Sequence, residues 1–220
     1  MIFTTGGIKG GSGKTTFATN LTIYLSSKGR DVLFVDADDQ ASAHTFSIQR
    51  EVATNGNKGY TAIRQSDKEV RSEVLKLAIK FDDVIIDTGG RDTTSQRAAL
   101  SITDVYLVPF YPRSLDVWTL EKVENLIADM QIVNPKLKAF SFINRADSQG
   151  ADNRDVAELL KESQIITYLD TPLVQRKIFA NAISYGLGIF EMKPKDKKAT
   201  DEFNALYEAL FSALRINVQQ

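Results

Sequence analysis

The residues Lys9-Gly10-Gly11-Ser12-Gly13-Lys14-Thr15-Thr16 combine the types that bind polyphosphate. Glycines let such a loop curl until successive backbone N–H groups point inward at phosphate oxygens. A helix starting near Thr15 would add the partial positive charge of its N-terminus. Lys14 would reach the β- and γ-phosphates as a point charge, and the Thr15 hydroxyl would ligate Mg²⁺. A plain flexible turn is the other reading, but an apolar run before the loop and a helical pattern after it favour phosphate.

Two further groups carry chemistry. Val32-Leu33-Phe34-Val35 ends in Asp36-Ala37-Asp38-Asp39-Gln40, and Val84-Ile85-Ile86 ends in Asp87, followed by Thr88-Gly89-Gly90. Carboxylates at the C-terminal end of a parallel strand face the crevice where α/β proteins bind ligands. There they can hold Mg²⁺ through water or position a water for in-line attack on phosphorus. The alternative is a polar strand-to-helix turn. Asp87 alone is a weak signal, since many buried strands end in Asp; third in order after two such strand ends, it gains weight. His44, the one histidine, reads as a polar loop residue just past the acidic turn rather than a general base.

Composition narrows the field. The chain has 220 residues, 27 Lys+Arg against 28 Asp+Glu, and no Cys. Without cysteine there is no disulfide framework, thiol nucleophile, zinc–thiolate site or cysteine-held cluster. The near-balanced charge excludes bulk electrostatic binding to nucleic acid, though not a local basic patch. No basic and apolar leader opens the chain, and no apolar run approaches the roughly 18 residues that span a bilayer. A cytoplasmic protein is the expectation.

The elements that must position these residues alternate. Strands are predicted at Ile2–Thr5, Val32–Asp36, Val84–Asp87, Val105–Val108, Phe140–Ile143 and, more weakly, Ile165–Leu169. They are short, continuous and often β-branched, as strands buried on both faces are. Helices are predicted at Thr15–Ser27, Glu69–Lys80, Thr93–Ile102, Leu115–Met130, Asp152–Glu162 and Thr200–Leu214. The last of these places Phe203, Leu206, Leu210 and Leu214 at core spacing. Gln49–Asp67, with Asn55, Gly56, Asn57 and Gly59, reads as a mobile connection. The pattern implies a single α/β domain over residues 1–220, a mostly parallel twisted sheet with helices on both faces.

With Lys9 leading it, the loop resembles the deviant Walker A motif of the ParA/MinD family of P-loop ATPases. The resemblance implies that Lys9 reaches across an ATP sandwich dimer to the partner's nucleotide; a solvated loop cation is the other reading. Asp36-Ala37-Asp38-Asp39-Gln40 is similar to the family's Asp-x-Asp-Pro-Gln, with Asp39 in place of proline. By it, Asp38 would orient the hydrolytic water and Asp36 would support the metal. Asp87 looks like the Walker B aspartate, binding Mg²⁺ indirectly, with Gly89 and Gly90 sensing the γ-phosphate. Ile8 stands where the usual loop has glycine, and since a β-branched residue disfavours positive φ, the loop start is expected to differ.

The resemblance extends over most of the chain. Asp104-Val105, Pro109, Pro112, Ser114 and Asp116 match the segment after Walker B. Asn144 and Arg145 sit where members read adenine, an amide to pair with the purine edge and a guanidinium to stack on it. Arg176, Ala180, Gly188 and Glu191 follow the small-ParA pattern of an arginine, a helix, a glycine and an acidic turn.

Function follows from what the ATP dimer would touch. A slow ATPase of this class is a switch, assembled by ATP and dissolved by hydrolysis. Nothing precedes the first strand that could be a helix-turn-helix, as in the small ParA proteins that leave centromere recognition to a separate ParB-like partner. The tail after Thr200 carries Asp201, Glu202 and Glu208 against Arg215, unlike a basic membrane helix of the MinD kind. Lys193, Lys195, Lys197 and Lys198, with Arg176 and Lys177 upstream, read either as a solvated approach to a helix or as a surface for non-specific nucleoid DNA. Arg176 alternatively supports the dimer interface. A partition ATPase is the leading expectation, ahead of a positioner of another cargo and of a dethiobiotin-synthetase-like ligase.

Overall fold

The computed structural model describes residues 1–114, 117–148, 150 and 152–216. In chain order the elements are β1 (Ile2–Thr5), α1 (Lys14–Ser27), β2 (Val32–Ala37), α2 (Ser42–Ala53), β3 (Thr61–Arg64), α3 (Glu69–Ala78), β4 (Asp83–Thr88) and α4 (Thr94–Leu100). There follow β5 (Val105–Phe110), α5 (Val117–Val133), β6 (Lys138–Ala146), α6 (Asp152–Glu162), β7 (Thr167–Tyr168), β8 (Leu173–Val174), α7 (Lys177–Ser184) and α8 (Lys197–Ile216). The strands run β3-β2-β4-β1-β5-β6-β7, β8 lies beside the C-terminal end of β6, and these pairings are parallel.

Residues of β2, β4 and β5 are buried throughout, which is why their sequences read as unbroken apolar runs. One face is covered by α1 and α8, where Phe17, Leu21, Phe203 and Leu206 pack on Phe3, Phe34 and Phe142. On the other, Val70 and Val74 of α3 meet Leu33 and Ile86, while Val123 and Ile127 of α5 meet Val108 and Ile143. Burying whole side chains of this size on both faces, at about 1.5–3 kcal/mol each, is what holds the strand ends in fixed register.

That register builds the site. Asp36 of β2 lies opposite Asp87 of β4, and Asp87 lies opposite Thr5, the last residue of β1. The chain reverses its direction of growth across the sheet at β1, the position where open α/β sheets bind ligands beyond their strand ends. The phosphate loop therefore leaves β1 directly beside both carboxylates.

Several expectations need correction. Gln49–Asp67 is no mobile connection: it holds the end of α2, buried Tyr60 and all of β3. His44 lies on α2 rather than in a loop. The final helix begins at Lys197, so Lys197 and Lys198 are helical, and the weak strand shrinks to Thr167–Tyr168. The helix predicted at Leu115–Met130 is described from Val117; Leu115 and Asp116 lie outside the described residues, as does the side chain of Arg215.

Candidate functional site

Gly13 caps α1 in the left-handed region at φ 85°, and Gly11 adopts φ 80°. With no side chain at the cap, the first-turn amides that every helix leaves without intrahelical partners face the loop's hollow. Gly13 must also be glycine for space, because a Cβ there would collide with the Asn144 amide nitrogen. Ile8 solves its own difficulty: it is absent from the positive-φ residues and packs half-buried on the cluster around α5.

Lys14 is buried, and its ammonium donates to the Lys9 carbonyl at 3.0 Å. Burial lowers its pKa, while Asp87 and Asp38 pull it back up. The two register-matched carboxylates differ sharply. Asp36 accepts from the Asp38 N–H at 3.0 Å and the His44 N–H at 2.6 Å, so it closes the acidic turn and starts α2. Burial, with Asp38 adding, still raises its pKa against those two bonds. Asp87 is wholly buried and neither of its oxygens has a hydrogen-bond partner. Burial and the neighbouring Asp36 and Asp38 push it up to about 8, against the Thr15 hydroxyl and Lys14, which lower it.

Asp38 is half-buried and its Oδ1 accepts from the Gln40 N–H at 3.2 Å. It abuts Gly89, where a Cβ would come within 3.1 Å of that oxygen. The proline missing at Asp39 is replaced by other restraints: Ala41 N–H donates to the Asp38 carbonyl at 2.9 Å, and Arg64 donates to the Asp39 carbonyl at 3.3 Å. Gly90 presses on the loop so closely that a Cβ would lie 2.8 Å from the Gly10 nitrogen and 2.9 Å from the Lys9 carbonyl carbon.

Together these residues line a cleft of about 730 Å³ that includes Gly10, Gly11, Lys14, Thr15, Thr16, Asp38, Gly89 and Gly90. A second groove of about 690 Å³ adjoins it, lined by Gly13, Thr16, Asn144, Arg145, Asp147 and Gln175 among others. Asn144 and Arg145 first brace the loop: Asn144 donates to the Ser12 carbonyl at 2.7 Å and Arg145 to the Gly11 carbonyl at 2.9 Å. Arg145 does so from φ 58°, with its guanidinium 5.3 Å from the Tyr111 ring centre.

The donor set fits Mg²⁺. A buried carboxylate without geometric hydrogen-bond partners beside a threonine hydroxyl is an environment that would suit a hard cation, whose other ligands would be water and phosphate oxygens. Among the described residues no three or more His, Cys, Asp or Glu gather as a protein-only metal site. The glycine loop, the α1 N-terminus and Lys14 fit a polyphosphate chain in the same way.

The basic residues separate. Lys193, Lys195, Lys197 and Lys198 are exposed, Lys197 pairing with Asp201 at 2.5 Å. Arg176 is instead tied to Glu202 and, with Lys177, lines the second groove. Sequence reasoning missed Arg113, whose guanidinium meets Asp147 at 2.9 Å on that groove's rim. The available signal was Asp147 itself, three residues beyond Asn144 past a strand end.

Comparison with known proteins places this geometry. A model of the CobQ/CobB/MinD/ParA nucleotide-binding domain matches residues 3–189. The chain is 29% identical over 201 residues, 90% of its length and 91% of the relative's, to the Maintenance of carboxysome distribution protein A of Halothiobacillus neapolitanus. It is 26% identical to Protein ParA of Rhizobium radiobacter, over 94% of each. Among solved structures, apo McdA from Cyanothece superposes with TM-score 0.79 at 19% identity, covering 95% of this chain and 98% of that one. By its family match and its fold, the chain belongs to the CobQ/CobB/MinD/ParA family of nucleotide-binding domains.

Proposed function

We propose that the chain is a ParA-type switch that forms a sandwich dimer with Mg·ATP, binds DNA without sequence preference in that state, and segregates a plasmid or chromosome with a centromere-binding, ParB-like partner. Membership in a family of P-loop ATPases makes nucleotide hydrolysis the general activity; slow, partner-stimulated turnover is part of the proposal. The observation that carries it is Lys9. Lys14 holds its carbonyl, Gly90 backs its peptide, and the residue is exposed at the start of the loop that lines the cleft.

In this reading the amides of residues 10–16 and the Lys14 ammonium bind the β- and γ-phosphates, and Asn144 and Arg145 flank the base. Thr15 and Asp87 hold Mg²⁺, which when bound neutralises charge between those phosphates. Asp36 keeps the acidic turn closed, and Asp38 holds the attacking water against the turn at Gly89. Lys9 crosses to the second copy's nucleotide, so the dimer stands only while a triphosphate does. The exposed lysines before and within the start of α8 supply phosphate contacts for DNA.

A second reading, positioning of a protein assembly by the same switch, is favoured by the similarity to a carboxysome distribution protein along 90% of the chain. Binding to a random-sequence duplex at moderate salt tests the first, with Mg·ATP, Mg·ADP and no nucleotide. Binding with Mg·ATP alone is expected. ATP-dependent dimers that ignore the duplex in every state would remove DNA as the track.

A further inference from the structure

Behind the phosphate loop lies a buried polar knot that the roles above do not use. Gln96 of α4 is completely buried. With its nitrogen turned toward two facing carbonyls, its amide donates to Gly7 at 3.2 Å and to Arg91 at 2.7 Å, and accepts from the Tyr106 hydroxyl at 2.9 Å. Two carbonyls can be satisfied only by the NH₂ end of the amide, which settles that orientation.

The two carbonyls belong to the two segments that must respond to nucleotide. Gly7 opens the phosphate loop, and Arg91 closes the glycine turn after Asp87. The space between them is full: a Cβ on Gly6 would lie 2.6 Å from the Thr88 hydroxyl and 2.8 Å from the Tyr106 hydroxyl. Thr88 also donates to the Thr5 carbonyl at 3.0 Å. On the cleft side Gly90 rests on Gly10 and Lys9. The turn is thus pinned to the loop at its front by a glycine contact and at its back by one amide.

We propose that Gln96 is a positioning residue that sets the glycine turn against the phosphate loop, so that contact of the turn with a γ-phosphate is passed to the backbone of Lys9. The inference rests on the ATP-dimer reading above. A buried primary amide is stable only with its hydrogen bonds made. Gln96 therefore admits one spacing between Gly7 and Arg91, and movement of either segment is felt by the other.

Gln96→Leu keeps the volume and removes the bonds, and Tyr106→Phe removes only the hydroxyl that the amide oxygen accepts from. Melting temperature, affinity for a fluorescent ATP analogue, sedimentation with Mg·ATP, and kcat and KM are measured on both. Gln96→Leu is expected to bind nucleotide within about threefold of wild type, while ATP-dependent dimerisation and kcat fall by about tenfold or more with the loss of its three buried hydrogen bonds. Tyr106→Phe should shift dimerisation and kcat in the same direction by less. Wild-type dimerisation and kcat in Gln96→Leu would overturn the inference and leave the dimer reading standing. Parallel loss of melting temperature, affinity and kcat in both variants would reduce Gln96 to a fold residue and overturn it too. A wild-type chain that stays monomeric with Mg·ATP would sink the dimer reading and this inference together.

Discussion

Asp36 and Asp87 sit at matched positions on neighbouring strands and have opposite environments. Two backbone amides occupy the oxygens of Asp36, whereas those of Asp87 have no geometric hydrogen-bond partner, with the Thr15 hydroxyl and Lys14 as their polar neighbours. A buried carboxylate left without partners costs stability in the nucleotide-free chain, and a cation relieves that cost. In the proposed account this difference leaves Asp36 to shape the turn and Asp87 to face the metal. On the same logic, Lys14→Ala should weaken ATP binding by at least about 100-fold, read by calorimetry, because it removes the buried cation that the proposed account sets against the phosphates. Asp38→Ala should keep ATP affinity and lower kcat by about 100-fold or more, since only the water's placement is lost. Normal turnover in that variant would strip Asp38 of its role.

Among the elements, α2 connects the site to the chain's C-terminal region. It starts on the Asp36 carboxylate, and near its other end Arg50 pairs with Glu191 at 2.7 and 2.8 Å and donates to the carbonyls of Lys58 and Gly186. Burial pushes the Glu191 pKa up, but Arg50 and the Gly188 N–H outweigh it and the net direction is down. A carboxylate lowered on folding stabilises the fold above its unfolded value, 4.5, and loses that contribution as pH falls through its folded value. Glu191→Gln should therefore cost about 1–3 kcal/mol in urea unfolding at pH 7, with the gap to wild type narrowing at acid pH. An equal gap at every pH would refute the ion pair as its source.

The same helix shows where sequence reading fails. Its buried face is Ala43, Phe46, Ser47 and Arg50, while Ile48 and Val52 are exposed, so hydrophobic periodicity points the wrong way. Only tertiary partners, Tyr60 for Ser47 and Glu191 for Arg50, make that face bury. β3 was hidden for a simpler reason: it is a four-residue edge strand, half-exposed along its length. The central strands and the phosphate loop were legible because apolar continuity and glycine chemistry are local properties. Gln96 was not, since its partners come from three segments that only the folded sheet brings together.

At the scale of the whole molecule, one parallel sheet delivers the phosphate loop, the acidic turn and the glycine turn to a single edge. Lys9 is exposed at the start of the loop that lines the cleft between them. The proposed account requires a second copy there, carrying its own triphosphate. Sedimentation of wild type and Lys9→Ala with Mg·ATP and with Mg·ADP tests this most directly, with ATP binding checked separately in each. The account predicts wild-type dimers with Mg·ATP, monomers with Mg·ADP, and a Lys9→Ala chain that binds ATP yet stays monomeric. Lys9→Ala dimers as stable as wild type, or a wild-type chain monomeric at saturating Mg·ATP, would contradict it.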